Sequence, residues 1–121
     1  MIEINLNTAR FKLEIKGHAK REESEEYSAI CTGVSTLAQG LAYTITKYES
    51  DHEALNGMDY RPEPGDLLLK AIPATWAEAA IRKRFNAYGD GMELLAMSHP
   101  ECVRMIRDGE EVKQPTGGDN E

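Results

Sequence analysis

Between residues 2 and 49 the hydrophobic pattern changes its period, and this change limits what the chain can fold into. Ile2, Ile4 and Leu6 share one face of a period-2 segment; Phe11, Leu13 and Ile15 share one face of a second, with Lys12, Glu14 and Lys16 pointing away. Such alternation predicts half-buried strands, and Asn7-Thr8-Ala9 between them predicts a hairpin turn. From about Ser28 the apolar residues recur at three- and four-residue steps through Val34, Leu37, Ala38, Leu41, Ile45 and Tyr48. That spacing predicts an amphipathic helix running to about Glu49.

The pattern then repeats. The turn cluster Arg61-Pro62-Glu63-Pro64-Gly65-Asp66, followed by Leu67-Leu68-Leu69, predicts a second strand pair within residues 54–72, its first strand the weaker signal. Thr75-Trp76-Ala77-Glu78 has the spacing of a capping box and opens a second helix, whose apolar positions include Trp76, Ala80, Phe85, Tyr88, Leu95 and Met97. Gly89-Asp90-Gly91 interrupts it, and two glycines at about 1 kcal/mol each predict a kink or break. His99-Pro100 ends the helix, and Cys102 to Ile106 reads as a short last strand. The expected fold is α+β, with two helices packed on one face of a mostly antiparallel sheet of about five strands.

A chain of 121 residues supports one domain, placed at residues 1–107. Residues 108–121 hold five acids against one Lys and read as a disordered acidic tail. The net charge of −7 argues against nucleic acid or anionic lipid as a partner. No apolar run reaches the roughly 18 residues of a membrane span, and the alternating opening segment does not read as a secretory signal, so a cytoplasmic protein is expected. The two cysteines, Cys31 and Cys102, are too few for a disulfide scaffold or a cysteine-rich zinc site.

The chemistry-bearing stretch is Gly17-His18-Ala19, the charged run Lys20 to Glu26, and then Ser28 to Ser35 around Cys31. His18 falls at a strand exit and Cys31 in the expected first turn of the helix, with Ser28 as its N-cap. A helix N-terminus carries about half a positive charge and favours a thiolate; the four carboxylates Glu22, Glu23, Glu25 and Glu26 act against it. The pair has the residue types of a nucleophile and its base. By spacing alone, the alternative is a small packed Cys31 beside a polar strand end.

Gly17-His18-Ala19, the short loop, and Cys31 followed by Val34-Ser35-Thr36-Leu37 resemble the ribosomal-processing cysteine protease family Prp. Gly91-Met92-Glu93-Leu94-Leu95-Ala96 leading into His99-Pro100-Glu101 is similar to that family's last helix and its stop. The resemblance covers residues 1 to about 107. It implies a ferredoxin-like plan, a homodimer, a catalytic dyad of His18 and Cys31, no metal or organic cofactor, and removal of the N-terminal extension of large-subunit ribosomal protein twenty-seven. Glu26-Tyr27-Ser28 departs from the family's Gly-x-Asp, and His99 replaces its usual tyrosine. These departures fit a divergent or prophage-type relative that trims a capsid or scaffold protein; the competing class is a non-catalytic dimeric binding protein of the same fold. In the enzyme reading the Cys31 thiolate forms an acyl-enzyme, His18 protonates the leaving amine, and backbone N–H groups near Cys31 and Thr32 are expected to form the oxyanion hole.

The remaining candidates are weaker. Ser35, one turn beyond Cys31, is a candidate for binding substrate or positioning the dyad, the alternative being a hydroxyl bonded back to the preceding turn. Asp51-His52-Glu53 lacks a second His at ligand spacing and reads as a solvated loop. Cys102 reads as core, Arg82-Lys83-Arg84 as the wet face of the second helix, and Trp76 and Phe85 as core or dimer interface.

Overall fold

The structure is a computed structural model that describes residues 1–17, 25–49, 53–63 and 65–113. Along the chain come β1 (Ile2–Asn7), β2 (Lys12–Lys16), α1 (Glu25–Glu49), β3 (Leu55–Glu63) and β4 (Asp66–Pro73). A 3₁₀ turn at Thr75–Ala77 leads into α2 (Glu78–Ser98), then β5 (Val103–Arg107) and β6 (Glu110–Glu111). The strands form one sheet in the order β3-β4-β2-β1-β5-β6. All neighbours are antiparallel except β1 and β5, which run parallel. The run β2-α1-β3-β4-α2-β5 has the element order of a ferredoxin-like unit, with β1 inserted between β2 and β5.

The register carries the sequence alternation into a single apolar face. Ile4 stands opposite Ile15 and Met105, and Leu13 opposite Leu6 and Leu69, so every strand of this central group presents its apolar residues to the helices. Ile2, Leu13, Leu69 and Met105 are essentially fully buried there, as are Val34, Leu41 and Ile45 of α1 and Ile81, Phe85 and Met92 of α2. Phe85 meets Phe11 edge to face, ring centroids 6.2 Å apart.

Several expectations are corrected. α2 is continuous through Gly89-Asp90-Gly91. A Cβ on Gly89 would stand 2.5 Å from Leu6 Cδ2, and one on Gly91 3.1 Å from Leu37 Cδ2. These glycines therefore let the helix approach β1 and α1; they do not break it. The capping box is not formed: α2 begins at Glu78, and the N-cap is Ala77, which has no side-chain acceptor. Trp76 is 67% exposed and outside the core, unlike Phe85. Only Lys83 of the basic triplet is freely exposed. Arg82 stacks over the Phe11 ring at 4.7 Å, and Arg84 pairs with Glu49 at 2.9 Å, tying α2 to the end of α1.

The ordered sheet extends into the segment read as a tail. Asp108 and Gly109 have φ of 50° and 88° and join β5 to β6, the conformation that a two-residue hairpin loop requires. Asp108 Oδ1 accepts from the Thr8 N–H at 2.7 Å and from its hydroxyl at 3.0 Å, pinning the β1–β2 turn. The stretch from residue 114 onward lies outside the described residues.

Candidate active site

Chain direction at the end of β2 is set by a glycine that no other residue replaces without strain. Gly17 has φ +91°, its N–H donates to the Gly65 carbonyl at 3.0 Å, and a Cβ at this position would collide with the Met1 carbonyl oxygen. The exit of β2 is thus fixed against both the β3–β4 turn and the chain entering β1. His18 follows at once in the sequence and lies outside the described residues, as does His52.

Across from this exit stands α1. It begins at Glu25, three residues before the expected start, so Ser28 is inside the first turn and not its cap. Two consequences follow for Cys31. It sits in the second turn, beyond the reach of the end-of-helix field, which fades within the first turn. The N–H groups of Cys31 and Thr32 are committed to the intrahelical ladder, so the expected oxyanion donors are not available there. Glu25, Glu26 and Tyr27 belong to the helix backbone and not to a loop.

Cys31, Ser35 and Gln39 recur every fourth residue and form one row along α1. All three line a cleft of about 240 Å³. Its floor is apolar, built from Ile2 and Ile15 of the sheet and Val34 of α1, and its far wall is made by Gly17, Gly65 and Asp66. Cys31 is half-buried, carries no disulfide, packs against the core and lines the cleft. Ser35 therefore stands beside Cys31 as expected, whereas Gln39 was not anticipated; the four-residue step from Ser35 is the signal that finds it. Cys102, by contrast, is 6% exposed, packs in the core, and does not line this cleft. His99 caps α2, its carbonyl accepting from the Cys102 and Val103 N–H groups at 2.9 and 3.0 Å.

A cysteine that lines a cleft with a serine and a glutamine of the same helical row offers a nucleophile for a bound carbonyl and polar groups for the chain beside it. Among the described residues no group of three or more His, Cys, Asp or Glu side chains could hold a metal ion, and no helix is long and apolar enough to cross a membrane.

Comparison with known proteins gives a consistent picture. The family model described as cysteine protease Prp matches residues 1–104. The crystal structure of SMU.848 from Streptococcus mutans superposes with a TM-score of 0.64 at 19% identity, covering 93% of each chain. The essential ribosomal processing protease Prp from S. aureus, in complex with a substrate peptide, gives a TM-score of 0.64 at 15% identity, over 88% of this chain and 96% of that one. The same S. aureus protein with a covalently linked product peptide gives 0.63 at 17% identity, over 88% and 96%. The comparison with curated proteins gives no match.

Proposed function

The chain belongs to the cysteine protease Prp family, and on that premise we propose that it is a cysteine endopeptidase with Cys31 as nucleophile and His18 as base. The observation that carries this is the cleft: Cys31 of α1 lines it together with Gly17 at the exit of β2, the residue that leads directly into His18. In the reaction, His18 takes the thiol proton and the Cys31 sulfur attacks the scissile carbonyl. The peptide C–N bond then breaks, His18 gives that proton to the leaving amine, and the acyl-enzyme remains. Water, deprotonated by His18, releases the acyl group and restores the thiol. Ser35 contacts the substrate chain beside the thiol.

The substrate is the N-terminal extension of a ribosomal protein, supported by the family membership and by the name of the S. aureus relative, a ribosomal processing protease. The protein works in the cytoplasm as a homodimer, and dynamic light scattering would show a particle of about twice the 13.5 kDa chain mass. Mass spectrometry of large-subunit ribosomal protein twenty-seven, incubated with wild type and with Cys31→Ala, tests the activity. One new N-terminus formed by wild type alone is expected. Equal cleavage by the Cys31→Ala protein overturns the assignment of the nucleophile, and an intact ribosomal protein with cleaved capsid or scaffold protein moves the substrate to the phage-type alternative.

A further inference from the structure

The cleft that holds Cys31 does not end at Gln39. Gln39 and Pro62 line both that cleft and a second, more open groove of about 750 Å³ between α1 and β3. The row of residues continues into it at the same step, Cys31, Ser35, Gln39, Tyr43. Tyr60 of β3 lies on the other side. β3 is the edge strand, so no further strand among the described residues closes the groove from outside.

By residue type this surface looks polar, but its chemistry is largely apolar. The Thr36 hydroxyl donates to the Thr32 carbonyl at 2.8 Å and the Thr46 hydroxyl to the Ala42 carbonyl at 2.9 Å, so each is turned back onto the helix and its methyl group is left for the groove. Burial holds the Tyr60 phenol above its usual pKa, as expected of a partly dry wall. Tyr43 is 64% exposed, its ring met within the chain by Lys47 Nζ, 5.7 Å from the centroid, and otherwise open to a ligand.

The dimensions suit an extended polypeptide. Fifteen residue steps of α1 separate Cys31 from Thr46, about 22 Å at 1.5 Å per step, which is the length of about seven residues of extended chain at 3.3 Å each. We infer that this groove receives the substrate chain on one side of the scissile bond, and that an apolar side chain about five to seven residues from that bond packs between Tyr43 and Tyr60. Ser35 and Gln39 meet the main chain on the way. The assignment rests on Cys31 being the nucleophile. Continuity with its cleft is what selects the substrate, in place of a second copy of the chain, as the occupant.

The test is cleavage of a peptide library prepared from a digested bacterial lysate, with cut sites read by mass spectrometry, by wild type, Tyr43→Glu and Tyr43→Phe. Wild type should select apolar residues about five to seven positions from the cut, on one side only. A selected peptide, resynthesised whole and without its distal residues, should show a kcat/KM ratio of roughly tenfold, the factor that about 1.4 kcal/mol carries. The ratio should fall toward unity in Tyr43→Glu and be kept in Tyr43→Phe. Selection confined to three residues around the cut, or the same ratio in Tyr43→Glu, overturns the inference alone. Conversion of a dimer to a monomer by Tyr43→Glu also overturns it, giving the groove to a second copy. Absence of any cleavage by wild type removes the endopeptidase reading itself, and the inference with it.

Discussion

Gly17→Ala should be among the most damaging methyl additions in this protein, and the structure supplies its own control. At φ +91° an alanine is in the left-handed region, a cost of roughly 1–2 kcal/mol. Its Cβ collides with the Met1 carbonyl oxygen, and relief by moving the strand end stretches the 3.0 Å bond from the Gly17 N–H to Gly65, worth about 1 kcal/mol. Together these give a loss of about 2–3 kcal/mol. Gly109 has nearly the same φ, +88°, but a Cβ there meets nothing within 4 Å. Gly109→Ala therefore shows only the backbone cost, about 1 kcal/mol after allowing for the stiffer unfolded chain.

Urea denaturation of both variants measures the difference, since a loss of this size lowers the midpoint by about 1–2 M at ordinary slopes. Equal midpoints for Gly17→Ala and Gly109→Ala would refute the idea that the β2 exit is clamped against Met1. Under the proposed mechanism the folded fraction of Gly17→Ala should also cleave more slowly than wild type, because the residue it misplaces is next to His18. A full specific activity would show that the clamp serves stability only.

Three further outcomes are expected. Gly89→Ala, which helix propensity alone would make stabilising by about 1 kcal/mol, should instead lower the thermal midpoint, because its Cβ would stand 2.5 Å from Leu6 Cδ2; a raised midpoint would refute the close packing of α2 on β1. Asp108→Ala should cost about 2–3 kcal/mol in chemical denaturation by leaving the buried Thr8 N–H and hydroxyl unpaired, with Asp108→Asn in between; a neutral result would return Asp108 to a frayed tail. Replacing Glu22, Glu23, Glu25 and Glu26 with Gln should lower kcat/KM on a substrate with basic flanks several-fold at low salt and converge on wild type at high salt; an unchanged constant at every salt concentration would remove electrostatic steering.

Features set by neighbours in the sequence were legible without coordinates. The alternation in residues 2–16 gave both strands, the turn cluster at 61–66 gave the second hairpin, and His99-Pro100 gave the end of α2. Features set by distant neighbours were not. Nothing local says that Gly89 faces Leu6 or that Gly91 faces Leu37, so two packing glycines read as helix breakers. Asp108-Gly109 is a dipeptide that suits a two-residue turn, a local signal that the reading of residues 108–121 as an acidic tail did not use. The start of α1 at Glu25 is missed because apolar periodicity marks only the part of a helix that packs, and the first buried residue seen on α1 is Ile30. At the site, Cys31 and Ser35 were found from residue type, whereas Gln39 and Tyr60 acquire a role only when the cleft and groove walls are known.

The parallel pairing of β1 with β5 has a bearing on the order in which this molecule assembles. Ile2 is matched to Val103, so the cleft floor that Ile2 provides is held from one side by β2, which is close in sequence, and from the other by nearly the last strand. Such a closure is slow, because the entropy of a long loop must be lost before the contact returns anything. During synthesis the β1–β2 and β3–β4 hairpins and α1 can leave the ribosome before the strand that completes the sheet centre exists. A nascent chain therefore holds every residue that lines the cleft once Leu67 has been added, yet the strand that braces Ile2 from its other side arrives only with Val103.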